Sequence, residues 1–124
     1  MKEIMAFIRT NKVNRTKEAL ANAGFPAFSC RPCLGRGKKS LDVTVLNYIM
    51  ETGGLPVSQV GEAFTESGRL IPKRFFTIVI EDEQVDLAVK TIINANQTGN
   101  PGDGKIFILP IDETYKVRTG ETVL

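Results

Sequence analysis

A short segment near the carboxyl terminus combines glycines with a lysine in a pattern that suits the binding of an anion. It runs from Asn96 to Lys105 and reads NQTGNPGDGK. Gly99, Gly102 and Gly104 permit positive φ angles and close backbone approach, so successive N–H groups could line an anion-binding concavity. Lys105 adds a positive charge suited to phosphate. Gly, Asn, Asp and Pro are also the residues of ordinary turns, so the spacing alone leaves a plain turn open.

The surroundings of this segment distinguish it from the common phosphate-binding motif. A Walker motif places its glycine loop before a helix and follows the lysine with Ser or Thr. Here Lys105 is followed by Ile106, and the next residues are typical of a strand. The segment is therefore a candidate anion site of a different kind.

The composition excludes several functional classes. The chain has 124 residues and no histidine, which removes histidine-based acid–base catalysis, Ser-His-Asp triads and most zinc enzymes. The chain also lacks paired carboxylates flanking an apolar pocket, so we expect a regulatory protein and not an enzyme. A net charge of +2 is too small to indicate a nucleic-acid binder.

The apolar segments are too short for a membrane protein. No apolar run approaches the ~18 residues needed to span a bilayer. The run from Ile4 to Ile8 lacks a small-residue cleavage site and leads into a charged segment, which indicates a strand and not a signal peptide. We expect a cytoplasmic protein without membrane insertion.

The two cysteines form the motif Cys30-Arg31-Pro32-Cys33. A structural zinc site needs four ligands, and two thiols per chain supply half of them. We therefore predict two reduced thiols at the end of a strand and no essential metal. A redox role, or a metal shared between subunits, remains the alternative.

The residue pattern predicts five strands and two helices. The first helix is expected to begin at a cap formed by Asn11 or Asn14 and to end before Gly24. The second is expected to follow a cap at Asp82, because apolar residues recur at helical spacing from Val85 to Ile93. The predicted strands are Lys2–Arg9, Ala27–Leu34, Arg74–Ile80, Lys105–Leu109 and a short one at Tyr115–Arg118.

This order indicates one α+β domain over residues 1–124. Two β-α-β halves joined by a long loop make a ferredoxin-like split βαβ sandwich, here with a short C-terminal strand. The helices would cover one face of an antiparallel sheet. Because no third layer is available for the other face, we expect that face to pack against further subunits. Pro32 cannot donate a ladder hydrogen bond, so its strand should lie at an edge of the sheet, or Pro32 should lie at a bulge or the strand's end.

The long loop covers residues from about 36 to 72. A loop of this length is uncommon in a compact domain and is usually functional or disordered. It contains an apolar stretch from Leu41 to Met50, so we predict that it is mobile when free and ordered by a partner. A tolerated surface insertion is the alternative.

The glycine segment closely resembles the C-terminal signature of the PII (GlnB-like) family of nitrogen regulatory proteins, as Thr98-Gly99-x-x-Gly102-Asp103-Gly104-Lys105-Ile106-Phe107. Other segments extend the resemblance to roughly 90 residues, the extent of a single domain. These segments resemble the first PII helix, the base and the return of the mobile T-loop, and the final C-loop: Lys17-Glu18-Ala19-Leu20 with Gly24, Gly35-Arg36-Gly37, Ile71-Pro72-Lys73, and Arg118-Thr119-Gly120-Glu121.

The resemblance implies a trimer that holds ATP or ADP in each cleft between neighbouring subunits. A polyphosphate needs several cations and backbone donors, and the residues that match the family's site supply them. Lys116, where an arginine is usual, and Arg118 would reach across from the next subunit. The implied nucleotide-binding residues are Ser29, Gly35, Gly37, Lys38, Thr98, Gly102, Asp103, Gly104, Lys105, Lys116 and Arg118.

The resemblance also implies 2-oxoglutarate as an effector. Lys73 lies where the family binds a carboxylate of 2-oxoglutarate. Lys39 stands where the common branch has a glutamine that ligates magnesium together with 2-oxoglutarate. A protonated lysine has no acceptor and cannot ligate a cation, which argues against magnesium, and Lys39 could instead pair with a phosphate or with 2-oxoglutarate. Tyr48 has no secure counterpart, and we treat it as a candidate for modification or partner contact.

Two segments resemble the archaeal, nitrogen-fixation-linked branch, namely Leu70–Arg74 and Asn96–Gly102. In that branch two different subunits act together on nitrogenase, and this chain resembles the longer-looped second subunit. The resemblance thus implies either a homotrimer or a mixed assembly with a second PII-like subunit, with nitrogenase as the target. The alternative is a conventional PII protein that regulates glutamine synthetase or an ammonium channel.

Overall fold

The computed structural model describes residues 1–37 and 70–124 of the chain. Met1–Cys33 and Pro72–Leu124 form one compact unit, and Leu34–Ile71 belong to another. Most of the predicted T-loop, with Lys38, Lys39 and Tyr48, lies outside the described residues.

The described residues form a four-stranded antiparallel sheet and two helices. The sheet order is β2-β3-β1-β4, so the strand that begins the chain lies between the two strands that flank the second helix. This is the ferredoxin-like split βαβ arrangement, and it confirms the predicted α+β class. The elements are β1 (Lys2–Arg9), α1 (Val13–Asn22), β2 (Ser29–Gly35), β3 (Ile71–Ile80), α2 (Val85–Asn96) and β4 (Lys105–Pro110).

The core lies between the sheet and the helices. Alternate residues of β1 point toward the helices, and Ile4, Ala6 and Ile8 are almost fully buried. Ala6 pairs with Phe76 of β3 and with Ile106 of β4, which places both on the same face. Burying one such large apolar side chain contributes about 1.5–3 kcal/mol. The buried cluster consists of Ile4, Ala6, Ile8, Leu20, Phe25, Phe76, Ile78, Ile80, Ala88 and Ile92.

The other face of the sheet is also apolar. Phe7 of β1 contacts Phe75 of β3 and Phe107 of β4, with ring centroids 5.1 Å and 6.1 Å apart. Phe107 and Leu109 are exposed in the described single chain. The three rings thus form one aromatic cluster across β1, β3 and β4. The cluster lies on the face of the sheet that we expect to pack against further subunits.

A buried polar contact fixes the end of α2 against α1. The amide nitrogen of Asn96 donates to the hydroxyl of Thr16 at 2.9 Å and to the carbonyl of Ile92 at 2.9 Å. The Thr16 hydroxyl in turn donates to the carbonyl of Lys12 at 2.8 Å. Asn96 is only 5% exposed, so this contact determines where the chain leaves α2 and enters the glycine segment.

The predicted helix caps are wrong. Neither Asn11 nor Asn14 is the residue before α1, and each helix is entered through a short 3-10 turn whose flanking residues make no side-chain cap. Asp82 lies inside the second of these turns, where its carboxylate pairs with the amino group of Met1 at 2.9 Å. In both places a 3-10 turn, and not a side-chain cap, leads the chain from the preceding strand into the helix.

The predicted short strand at Tyr115–Arg118 is also wrong. Residues 117–119 form a turn, which is closed by two backbone hydrogen bonds between Lys116 and the residues beyond it. The Lys116 N–H donates to the Glu121 carbonyl at 2.8 Å, and the Gly120 N–H donates to the Lys116 carbonyl at 2.7 Å. Gly120 adopts a φ of +75°, which the turn requires and which glycine tolerates.

Strand ends shifted by a few residues relative to the sequence prediction. β2 begins at Ser29 instead of Ala27, and β3 begins at Ile71 instead of Arg74. The prediction that Pro32 lies on an edge strand is confirmed, because β2 is the first strand in the sheet order.

Candidate functional site

The glycine segment connects the end of α2 to the start of β4. β4 pairs with β1 in a register that places Lys105 opposite Phe7. Gly104 has a φ of +114°, and a Cβ atom at this position would lie 1.8 Å from the carbonyl oxygen of Phe7. Only glycine lets the chain pass this close to the β1 backbone.

Two backbone N–H groups of this loop make no hydrogen bond with the described residues. Within residues 1–37 and 70–124, the N–H groups of Gly102 and Gly104 donate to no acceptor, whereas the N–H of Asp103 closes the turn at residues 101–102. Gly102 and Gly104 have φ angles of +98° and +114°, whereas Asp103 between them does not have a positive φ. Alternation of this kind can turn N–H groups toward one concavity, an arrangement that is able to hold an anion.

The Asp103 carboxylate closes the loop on itself. It accepts the Thr98 hydroxyl at 2.5 Å, the Thr98 N–H at 2.8 Å and the Gly99 N–H at 3.0 Å. The hydrogen bond from the Thr98 hydroxyl, followed by those from the Thr98 and Gly99 N–H groups, lowers the pKa of Asp103 far below its usual range. Asp103 was predicted to bind nucleotide. Its side chain holds the loop together through these contacts.

Arg9 joins the two ends of the loop from the end of β1. Its Nη1 donates to the Asp103 carboxylate at 2.5 Å and to the Thr98 hydroxyl at 3.2 Å. Its Nη2 donates to the Pro101 carbonyl at 2.9 Å. About a quarter of each charged side chain of the Arg9–Asp103 pair is exposed, so the pair is only partly screened by water.

Lys73 of β3 holds the same loop from the neighbouring strand. It lies opposite Arg9 in the β1–β3 register, and its ammonium donates to the Gly102 carbonyl at 2.8 Å. Partial burial, and then the charge of Arg9, lower the pKa of Lys73 below its usual value. Arg9 and Lys73 thus engage the carbonyls of Pro101 and Gly102, while the N–H groups of Gly102 and Gly104 donate to no acceptor among the described residues.

The remaining predicted site residues are spread over the chain. Lys105 begins β4 and is exposed, and Ser29 begins the edge strand β2 and is also exposed. Lys116 pairs with Glu121 at 3.6 Å within the C-terminal turn, and Arg118 is exposed in that turn. Gly35 and Gly37 belong to the unit Leu34–Ile71, and none of the described residues lies within 4 Å of the place where either would carry a Cβ.

Sequence reasoning missed Arg9. The residues that it holds are 89 to 94 positions away in the chain, so no local pattern connects them. One signal could have identified it. Arg9 ends β1, and the predicted fold places β1 beside β4, the strand that follows the glycine loop.

An open groove of about 430 Å³ adjoins the loop on the helix side of the sheet. The groove brings apolar residues of α2 and β4 next to the loop, so a ligand can approach Gly104 and Lys105 from this side. Its lining includes Phe7, Ile92, Asn96, Gly104, Lys105 and Ile106.

The described residues show no metal or membrane feature. Cys30 and Cys33 are free thiols, and residues 1–37 and 70–124 contain no cluster of three or more potential ligands among His, Cys, Asp and Glu. The prediction that the thiols hold no essential metal stays a prediction. No helix in this part of the chain is long and apolar enough to cross a membrane.

Comparison with known proteins gives a family match over almost the whole chain. The sequence model described as "Nitrogen regulatory protein P-II" matches residues 1–121. "Nitrogen fixation nifHD1 region GlnB-like protein 2" of Methanosarcina barkeri is 40% identical over 121 residues, covering 98% of this chain and 94% of the relative.

Two further relatives carry related names. "Nitrogen fixation nifHD region GlnB-like protein 1" of Methanothermococcus thermolithotrophicus is 43% identical over 122 residues, covering 98% of each chain. "Nitrogen regulatory protein P-II 2" of Methanothermobacter thermautotrophicus is 38% identical over 122 residues, covering 98% of this chain and 93% of the relative. This chain is therefore similar both to nitrogen-fixation-region proteins and to a protein named simply as P-II.

Proposed function

Because this chain belongs to the P-II family of nitrogen regulatory proteins, we propose that it binds ATP or ADP through its glycine loop and regulates nitrogenase through its T-loop. Proteins of this family are regulatory signalling proteins. In this proposal the chain acts in the cytoplasm, catalyses no reaction of its own, and passes nucleotide status to a partner.

The observation that carries the nucleotide proposal is the pair of N–H groups at Gly102 and Gly104 that donate to no acceptor among the described residues. A phosphate presents several charged oxygens, and each accepts charge-assisted hydrogen bonds from such donors. Lys105 adds a cation at the end of the loop. Arg9 and Lys73 already bind the carbonyls of Pro101 and Gly102, so these oxygens are drawn toward cations and away from an incoming anion.

Calorimetric titration of ATP and ADP tests this proposal. Removing the Lys105 charge in Lys105→Ala should cost about 1.5–3 kcal/mol, since it removes a hydrogen bond to a charged group. That corresponds to a loss of affinity of roughly 10- to 150-fold. Lys90→Ala, at an exposed lysine of α2, is the matched control and should bind like the wild type. Equal affinity of Lys105→Ala and Lys90→Ala would contradict the proposed site.

The proposed assembly is a trimer, as in the family. The exposed Phe107 and Leu109 of β4, on the sheet face away from the helices, support it, because exposed apolar side chains that cluster on one face can mark an interface. The C-terminal turn supports it too: Val117 is fully exposed, and Lys116 and Arg118 beside it would reach the nucleotide of a neighbouring subunit.

The nitrogenase target rests on the relatives named for the nifHD region. Deleting Leu41 to Arg69 tests the role of the long loop. The truncated protein should keep its fold and nucleotide affinity and lose its effect on nitrogenase activity. A truncated protein that still inhibits nitrogenase would refute the role of the loop. The second candidate function is that of a conventional P-II protein, which would act on glutamine synthetase or an ammonium channel. The similarity to the relative named as P-II 2 favours this candidate.

The relatives' names also distinguish a GlnB-like protein 1 from a GlnB-like protein 2. They support a mixed assembly in which this chain is the second type of subunit. Because Lys39 offers no lone pair to magnesium, we propose that this subunit alone binds 2-oxoglutarate weakly, through Lys73 and Lys39. Strong, magnesium-dependent binding would come from the companion subunit.

A further inference from the structure

The loop that carries the free N–H groups is held by an ion pair across its base. The Asp103 carboxylate accepts three hydrogen bonds from Thr98 and Gly99, and Arg9 adds a fourth. Arg9 also reaches the Pro101 carbonyl at 2.9 Å. These contacts tie the first residues of the loop to Asp103 near its end, with Gly102 and Gly104 in positive φ.

We propose that Arg9 and Asp103 are a positioning pair that holds the Thr98–Gly104 loop in its anion-binding conformation before the anion binds. The proposal rests on the nucleotide site proposed above. A loop that is already ordered loses less conformational entropy on binding, so pre-ordering increases affinity.

The geometry argues that Arg9 does not itself bind the anion. In this structure its hydrogen bonds go to Thr98, Pro101 and Asp103, and none of these acceptors is part of the ligand. The planar guanidinium serves acceptors on two sides at once, through Nη1 and Nη2. A lysine provides one compact charge and cannot reproduce that fork.

The pair also neutralises a negative charge inside the anion-binding loop. Asp103 lies within the anion loop, and an unpaired carboxylate there would repel phosphate. Arg9 neutralises it, so the loop presents its N–H groups without a net negative charge. It follows that removing Arg9 alone harms anion binding in two ways, through loss of loop order and through the exposed carboxylate charge.

Backbone amide exchange measured by NMR in the absence of nucleotide tests the positioning role. In Arg9→Gln the amide protons of Thr98 and Gly99 should exchange at least about tenfold faster, because their acceptor is no longer held in place. Arg15→Gln, at an exposed arginine of α1, is the matched control and should leave these rates unchanged. Unchanged rates in Arg9→Gln would overturn the proposal, whether or not the protein binds nucleotide.

A double-mutant cycle on ATP affinity separates positioning from direct contact. Arg9→Gln should weaken binding at least about tenfold, and adding Asp103→Asn should recover part of that loss because it removes the repelling charge. Arg9→Lys, which keeps the charge, should lie between the wild type and Arg9→Gln. If instead the losses of Arg9→Gln and Asp103→Asn simply add, Arg9 acts independently of Asp103 and the pair is not a unit.

Discussion

Adding one methyl group at Gly104 tests the close approach between the glycine loop and β1. In Gly104→Ala the new Cβ would lie 1.8 Å from the Phe7 carbonyl oxygen, and real contacts of this kind are essentially never below 3.0 Å. The loop or the β1 backbone must therefore move by more than 1 Å, and the neighbouring atom is backbone that cannot rotate away.

Two costs add in this variant. A non-glycine residue at such a positive φ costs about 1–2 kcal/mol. Forcing an extra carbon into an already filled space costs about 1–3 kcal/mol more. We therefore expect Gly104→Ala to lower the free energy of unfolding by roughly 2–5 kcal/mol, and to weaken ATP binding because the N–H groups beside it are displaced.

Gly99→Ala is the matched control, because Gly99 also has a positive φ, of +85°, but nothing lies within 4 Å of its Cβ position. It should carry only the conformational cost of about 1–2 kcal/mol. Urea unfolding of both variants, with the midpoint and slope fitted, gives the two values. Equal losses of stability in the two variants would refute the close packing of Gly104 on Phe7.

Three further predictions concern Asn96, Asp103 and Lys39. Asn96→Ala should lower the free energy of unfolding by about 1–3 kcal/mol, since it removes the buried contact with Thr16; Asn94→Ala, exposed on the same helix, should be neutral within about 0.5 kcal/mol. The depressed pKa of Asp103 means that its contribution to stability is fully present above its unfolded pKa of about 3.9 and is lost as pH falls toward the folded value. The stability difference between wild type and Asp103→Asn should therefore stay constant from about pH 5 to 8 and shrink below about pH 3.9; a difference that changes near neutral pH would contradict this. Lys39→Gln should make 2-oxoglutarate binding, measured with ATP, tighter and more dependent on magnesium, because it supplies a carbonyl ligand; tight magnesium-dependent binding already in the wild type would contradict the assignment of Lys39.

The fold was predictable because its periodic elements are long and strongly patterned. The aromatic and β-branched run from Arg74 to Ile80 and the amphipathic pattern from Val85 to Ile93 both predicted the elements found there. The caps failed because short 3-10 turns enter both helices, and a potential capping residue such as Asp82 instead pairs with the distant amino group of Met1. Local propensity contains no information about such a partner.

The site was predictable only in part for the same reason. The glycines and Lys105 of the loop are contiguous, so the sequence displays them together. Arg9 reaches the loop because β1 pairs with β4, and Lys73 reaches it because β3 pairs with β1. Both contacts therefore depend on tertiary structure, which a local sequence pattern does not show. The C-terminal strand was predicted from apolar residues such as Tyr115 and Val117, but both are exposed in the described chain, which fits a segment that meets a neighbouring subunit.

The most direct test of the account is an NMR titration of backbone amides with ATP, ADP and adenosine. If the loop binds phosphate, the amide signals of Gly102 and Gly104 should shift with ATP and ADP and stay in place with adenosine. The amide of Gly99, which already donates to Asp103, should shift much less. Binding of ATP that leaves these two amides unchanged, or no binding at all, would contradict the central claim.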